Sequence, residues 1–474
     1  MIAPRRRLTA PTLASTALAF VVGCSGGAKE PTAGDASDAG TSAATEEGTS
    51  ATSTGEGTGT SDGETTAEGT TTGGELLTYY KHTKAIVDAK CATCHRPGDI
   101  APFSLETYEQ VAMMAPYLDA SIADGTMPPW PPDAACNDYR HDRSLSADEA
   151  AVLRAWIMIG APEGDPADAP PPVEPPPTPD FDLELQAAEP YQPTAIPDDY
   201  RCFLFDWPKE EVTYVTAFDI VPGERTVVHH VIAFVIPEDQ IATFDKLDAA
   251  DPDPGYPCYG GPGGEVASPA QWLGAWVPGY GGGEFPEGTG IQVQPGSKIA
   301  LQIHYHPYNG APADLSTMRL RTADTVDKPA YLMPLVNVGW LFDQPPMTIP
   351  AGSADTVHST DVGLSGMLNL LFPGNGISGG ALLVHGAGVH MHTLGTRGSL
   401  SINGVDDPCL VDIHRWDFNW QGVYDLTTPK RVEPGQSLRL ECHFDNSAGD
   451  KSVKWGEGTG DEMCLGVVYV SAAD

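Results

Sequence analysis

Two histidine groups and a late methionine carry the chemistry legible in this chain: His229-His230, then His304, then His390-Met391-His392, and finally Met463. They read as two three-ligand metal sites held on separate sheets. Imidazole serves copper, zinc or iron, but a thioether is a soft ligand and points to copper cycling through Cu(I). Side chains alternate faces along a strand, so His390 and His392 point the same way and can chelate one ion directly. Adjacent His229 and His230 should point to opposite faces. They share a metal only if the strand twists or ends there, with the two rings using different nitrogens. His304 and His306 also share a face and could hold an ion by themselves. His385 lies near the second group but off its pattern, and His358, His414 and His443 read as structural or exposed.

A second kind of chemistry precedes these groups. Cys91-Ala92-Thr93-Cys94-His95 is the attachment signature of a c-type haem: two thiols add to the vinyl groups and the adjacent histidine is placed to ligate iron. The expectation is one covalent haem c. In Gly125-Thr126-Met127-Pro128-Pro129-Trp130 the prolines hold the chain extended just after Met127, freeing its thioether to turn inward as a distal ligand. Met113 and Met114 compete for that role but sit in a helical pattern that reads as packing. His/Met ligation gives an electron-transfer haem.

The elements that must position these residues change character along the chain. Leu76 to Lys90 has helical periodicity leading into the Cys pair, and Leu145 to Gly160 reads as a closing helix, so residues 76–164 form a small all-α cytochrome c-like domain. Residues 165–180, with two Pro-Pro-Pro runs, are a stiff extended spacer. After Phe181 come short apolar runs between Gly/Pro-rich turns: Glu211–Ile220, Thr226–Ile236, Lys298–His306, Ala381–His392, Arg397–Ile402, Ser437–Phe444 and Leu465–Val470. Many short strands without helices imply antiparallel sandwiches, and nearly 300 residues is large for one, so two are expected.

The N-terminus reads as a targeting segment. Arg5-Arg6-Arg7 precedes an apolar run to Val22, and Val21-Val22-Gly23-Cys24 has the form of a lipobox, making residues 1–23 a signal peptide and Cys24 the lipidated first residue. An ordinary signal peptide with a chance cysteine is the alternative. Residues 24–75 are Ser, Thr, Gly, Ala and acidic side chains, a flexible tether. The localisation this implies is an exported lipoprotein anchored in the outer membrane of a Gram-negative bacterium. The net charge of −38 argues against nucleic acid as a partner. Nine cysteines fit an oxidising compartment. Cys202 has Cys258 as its best partner, while Cys136 and Cys409 are left over, to pair or to remain thiols.

The segments Val227-Val228-His229-His230-Val231, Leu301-Gln302-Ile303-His304-Tyr305, His390-Met391-His392-Thr393-Leu394-Gly395 and Asp461-Glu462-Met463-Cys464 resemble the copper type II, ascorbate-dependent monooxygenases, in family order and over roughly residues 181–474. The resemblance implies two jelly-roll-like sandwiches, residues 181–328 and 329–474. It implies two copper ions, an electron-transfer copper on His229, His230 and His304 and a dioxygen-activating copper on His390, His392 and Met463. His306 is then a neighbour, because the family pattern puts the third ligand before the Tyr of His-Tyr. Cys442 and Cys464 are spaced like a family disulfide that braces the strand carrying the methionine. In the peptide-hydroxylating branch an arginine two positions before the His-x-His and a tyrosine four after the methionine hold the substrate carboxylate. Here those positions are Gly388 and Val467, so a glycine-extended peptide is not the expected substrate and a smaller or neutral organic molecule fits better, with O2 and an electron donor as co-reactants. A non-enzymatic copper- and haem-binding carrier, or a surface module with remnant sites, are the competing readings.

Overall fold

The computed structural model describes residues 71–72, 75–97, 101–171, 179–263, 270–278 and 282–473. The leader, Cys24, nearly all of the tether and residues 172–178 of the spacer lie outside these residues.

Three helices open the described chain: α1 (Lys84–Lys90), entered through a helical turn at Tyr79–Thr83, α2 (Tyr108–Ala123) and α3 (Ala147–Met158). The helical run expected from Leu76 starts at Tyr79 because Thr78 is extended. α2 and α3 each start at a capping box, Thr107 with Gln110 and Ser146 with Glu149, which satisfies amides that have no partner inside the helix. Leu105, Val111 and Ala115 meet Leu153 and Trp156 in one core.

The rest is mainly β-structure, with three α-helices, Ile241–Ala250, the short Val338–Leu341 and Leu364–Leu371, that the strand pattern did not foretell. The strands that matter for the site are β1 (Asp199–Asp206), β2 (Thr213–Val221), β3 (Val228–Ile236), β4 (Lys298–Tyr305), β5 (Lys328–Leu335), β6 (Leu382–His390), β7 (Cys409–Ile413), β8 (Tyr424–Val432) and β9 (Leu465–Ala472). β4 runs antiparallel between β1 and β3 and is buried on both faces, which its apolar run Ile299–Leu301 allows. Phe218 and Ile220 of β2 pack with Val231, Leu301 and Ile303 in the core of the first sandwich. In the second, Val384, Val389, Val468 and Val470 pack against Leu400, Val411, Leu438 and Leu440 of a separate four-stranded sheet.

The expectation of separate sheets for the two histidine groups is corrected here. β3, β4 and β6 belong to one 14-stranded sheet. β5, at the expected domain boundary, pairs antiparallel with β9 from Ala330–Ser471 to Leu335–Gly466, and β9 in turn pairs with β6. Main-chain hydrogen bonds therefore run from one sandwich into the other.

The helical region is likewise more than tethered by the Pro-rich spacer. Between α2 and α3 the chain leaves the helices and lies along β7 and β8. The Asp133 amide donates to the Asp412 carbonyl and the Arg140 amide to the Asp425 carbonyl, both at 2.8 Å. The rings of Trp130, Tyr139 and Tyr424 meet edge to face at 5.3–6.2 Å, contacts that add about 0.5–1.5 kcal/mol per pair beyond burial. Cys136 is disulfide-bonded to Cys409, 273 residues on, and the other disulfides are Cys202–Cys258 and Cys442–Cys464.

Replacing Cys136 and Cys409 together by serine should lower stability by roughly 2–5 kcal/mol and speed amide exchange across residues 130–143 while β3 and β4 stay protected. Unchanged exchange in that segment would show that the hydrogen bonds hold it without the disulfide.

Candidate metal centre

The first histidine group is assembled by an irregularity in strand pairing. His304 of β4 lies opposite His230 of β3, and the next pair is Tyr305 with Val228. His229 therefore has no opposite number. Two residues of β3 face one of β4, a bulge that re-aims a side chain which regular alternation would send to the other face. The three rings converge on one atom type. Nδ1 of His229 lies 3.2 Å from Nδ1 of His230 and 3.3 Å from Nδ1 of His304, and the last two are 3.4 Å apart. The adjacent rings thus present the same nitrogen, where different nitrogens were expected.

This triangle fits a metal ion. A point equidistant from nitrogens so spaced lies about 1.9 Å from each, close to usual imidazole–metal distances. His304 donates Nε2–H to Asp198 Oδ1 at 2.9 Å, which leaves its Nδ1 unprotonated, the carboxylate–histidine arrangement usual behind a metal ligand. Its ring also stacks on Tyr200 at 4.1 Å. Burial pushes His229 down to about 3 and His230 and His304 below the ordinary imidazole value, so the lone pairs are free at neutral pH. His306 stays outside the triangle, half-exposed, with Nδ1 3.6 Å from Asp198.

The second group uses the opposite tautomer. His390 ends β6, and its Nδ1–H donates to Gln421 Oε1; the Gln421 amide is oriented by its own bond to the Phe418 carbonyl at 2.7 Å. His392 lies past the strand end, so alternation alone does not aim it. Its Nδ1–H donates to the Asp461 carbonyl at 3.0 Å, and its amide donates to the Glu462 carboxylate at 2.8 Å. Both rings keep Nε2 free. They lie 5.2 Å apart between centroids. Because His390 pairs with Leu465, continuing that antiparallel register puts Met463 opposite His392, and Met463 is buried. Burial depresses His390 to about 3 and lowers His392 also. His385, at a bulge in β6, instead bonds Ser471 Oγ at 2.8 Å within the sheet.

The two groups are close: the His230 and His390 rings lie 6.4 Å apart. Phe418 stacks on His229 at 4.8 Å and lies 6.0 Å from His392. Phe418 and Gln421 belong to a loop between β7 and β8 that sequence reading passed over. The same loop reaches the helical region. Arg415 donates to the carbonyls of Asp124 and Gly125, just before Met127, and Trp416 Nε1–H donates to the His392 carbonyl at 3.0 Å. An aromatic-rich stretch, Trp416-Asp417-Phe418-Asn419-Trp420, was the available signal.

In the helical region Cys91 and Cys94 are unpaired, half-buried thiols at the end of α1. Burial raises Cys91 to about 12, the reverse of a thiol built for exchange. His95 donates Nδ1–H to the Phe103 carbonyl at 3.2 Å, leaving Nε2 available. The hydroxyls of Tyr79 and Thr93 are buried with no partner among the described residues. These residues fit a covalently held haem. Met127 is half-buried, Met114 packs into the helical core, and Met113 is exposed.

Comparison with known proteins bears on the β region. Residues 341–472 match the family described as copper type II ascorbate-dependent monooxygenase, C-terminal domain. A human protein, putative DBH-like monooxygenase protein 2, is 24% identical over 283 residues, covering 57% of this chain and 53% of that protein. Mouse DBH-like monooxygenase protein 2 is 24% identical over 282 residues, covering 57% and 43%, and chicken DBH-like monooxygenase protein 1 is 25% identical, covering 56% and 43%. The chain spans about half the length of the curated relatives it matches. A virus coat structure, the infectious bursal disease virus VP2 subviral particle, aligns at 9% identity over 61% of this chain and 71% of its own, with a TM-score of only 0.13. The second sandwich is thus similar to the C-terminal domain of the copper type II monooxygenases, and the relatives support that family for the β region.

Proposed function

We propose that the chain is a copper-dependent monooxygenase that hydroxylates a C–H bond of a small organic molecule. Dioxygen, two electrons and two protons convert C–H to C–OH and water. The observation that carries this reading is the convergence of three Nδ1 atoms beside a second group whose Nε2 atoms are kept free by Gln421 and Asp461. Copper bound by these residues would supply one-electron chemistry and the activation of dioxygen, with Met463 favouring the reduced ion. The chain's own contribution is to keep six ligands neutral, aimed and largely dry.

The proposed substrate is a small organic molecule and not a glycine-extended peptide. A Cβ on Gly388 would meet the Gly422 carbonyl oxygen at 2.3 Å, and Val467 is buried in the core of the first sandwich. Neither position has room for a side chain that grips a carboxylate. The electrons are proposed to come through a haem on Cys91, Cys94 and His95, with Met127 as distal ligand. The loop from Arg415 to Gln421, touching Gly125 at one end and His390 at the other, supports that supply. Anchoring through Cys24 in the outer membrane completes the proposal, as an expectation from sequence alone.

The purified chain should bind two copper ions and, with a reductant, form product only when oxygen is present. Met463→Ala should cut product formation by roughly 100-fold or more, as losing an essential group does, while one copper stays on His229, His230 and His304. Two bound coppers with no oxygen-dependent product from a broad C–H panel would favour the carrier reading.

Gln421→Ala should weaken copper at His390 and His392 about 10–100-fold without touching the first group, measured by competition with a chelator. Equal affinities would remove Gln421 from the site.

The matured protein should show a covalent low-spin haem spectrum that Met127→Ala turns high-spin. A variant spectrum identical to the parent's would move the distal ligand to another residue.

A further inference from the structure

Asp198 precedes β1 and belongs to neither histidine group, yet it touches the supports of both. Its Oδ1 accepts Nε2–H of His304 at 2.9 Å and the hydroxyl of Thr459 at 2.6 Å, and its Oδ2 accepts the Thr459 amide at 3.0 Å. Thr459 lies in the glycine-rich segment Gly456–Asp461 of the second sandwich. That segment runs directly into the Asp461 carbonyl that holds His392, the Glu462 carboxylate that holds the His392 amide, and Met463. One carboxylate thus fixes the ring of a first-group ligand and the near end of the segment bearing the second group's thioether.

Two neutral bonds run along the same seam, from Tyr200 Oη–H to the Glu457 carbonyl at 2.7 Å and from the Glu457 amide to Tyr259 Oη at 3.0 Å. They dock the same segment without a charge. A mostly buried anion is an expensive way to add a third attachment, since desolvation opposes it. Its placement makes sense if the charge serves His304, whose imidazole is a better donor to a cation when its far N–H faces a carboxylate. The Thr459 bonds then ensure that the carboxylate can turn toward His304 only in the position that also seats the 456–463 segment.

We propose that Asp198 is a positioning residue that couples the two histidine groups, so that an ion held by His229, His230 and His304 orders the segment carrying Met463. This rests on the reading of both groups as copper sites. Coupling of this kind is reciprocal: whatever the first ion does for the second, the second does for the first.

The test uses the full chain titrated with Cu(I) against a chromogenic Cu(I) chelator, with X-ray absorption to record sulfur bound to copper. Thr459→Val removes a hydroxyl from the second sandwich and alters no charge and no ligand. It should nevertheless weaken the first group about five- to tenfold, at the low end of ordinary couplings, and diminish the copper–sulfur signal. Thr459→Ser should restore both. Asp198→Asn, nearly the same shape, should weaken the first group about 10–100-fold and lower the copper–sulfur signal as well. An unmoved first group in Thr459→Val, together with a full sulfur signal in Asp198→Asn, overturns the coupling. If the parent chain itself binds fewer than two ions, the copper reading fails and the coupling falls with it, an outcome told apart by stoichiometry alone.

Discussion

The bulge at His229 is the constraint on which the centre depends. A regular ladder between β3 and β4 would send His229 and His230 to opposite faces, and no arrangement of loops would bring their nitrogens together. With one residue left over in β3, His229 joins the face on which His230 and His304 already meet as a cross-strand pair. Such irregularities weaken a sheet locally. Here β4 is clamped by β1 on its other side over eight residue pairs, so the irregularity is confined to the strand end where the ligands are needed.

The second group solves the same problem by different means. His392 lies beyond regular structure, and a buried carboxylate replaces the ladder: Glu462 accepts the amides of His392 and Leu394. Burial raises this carboxyl to about 7 even though backbone amides favour its anion. Asp198, more open to water and bonded to His304 and Thr459, is held below the usual carboxylate range. Two acidic side chains about the same centre therefore sit on opposite sides of their ordinary value. The difference follows from solvent access: each carboxylate accepts three hydrogen bonds, but desolvation prevails at the fully buried Glu462 and not at Asp198.

Much of this was legible in the residues. Residue types and the family resemblance singled out His229, His230, His304, His390, His392 and Met463 as candidate ligands. The structure brings the rings of His229, His230 and His304 together, and the strands proved accurate to within a few residues. What escaped was most of what pairing across long separations decides, the Cys202–Cys258 and Cys442–Cys464 disulfides excepted. No local pattern reveals that one residue of β3 will be skipped, because the skip is decided by β4, about 70 positions later. Nor does anything around Cys136 announce Cys409. Gln421 and Phe418 escaped for a related reason: an aromatic-rich loop and a glutamine beside it have no periodicity, and their roles arise only when β7 and β8 place that loop over the histidines.

The strand pairing that fuses the two sandwiches has a consequence in time. β5 and β9 exchange hydrogen bonds along six residue pairs, and β9 carries those bonds on into β6. Opening the space between the histidine groups by a hinge would mean breaking that ladder. The two groups therefore keep their spacing on the microseconds and milliseconds in which domains swing. What is left to move at the rim are side chains such as the ring of Phe418 over His229, whose rotations belong to the fast end of protein motion.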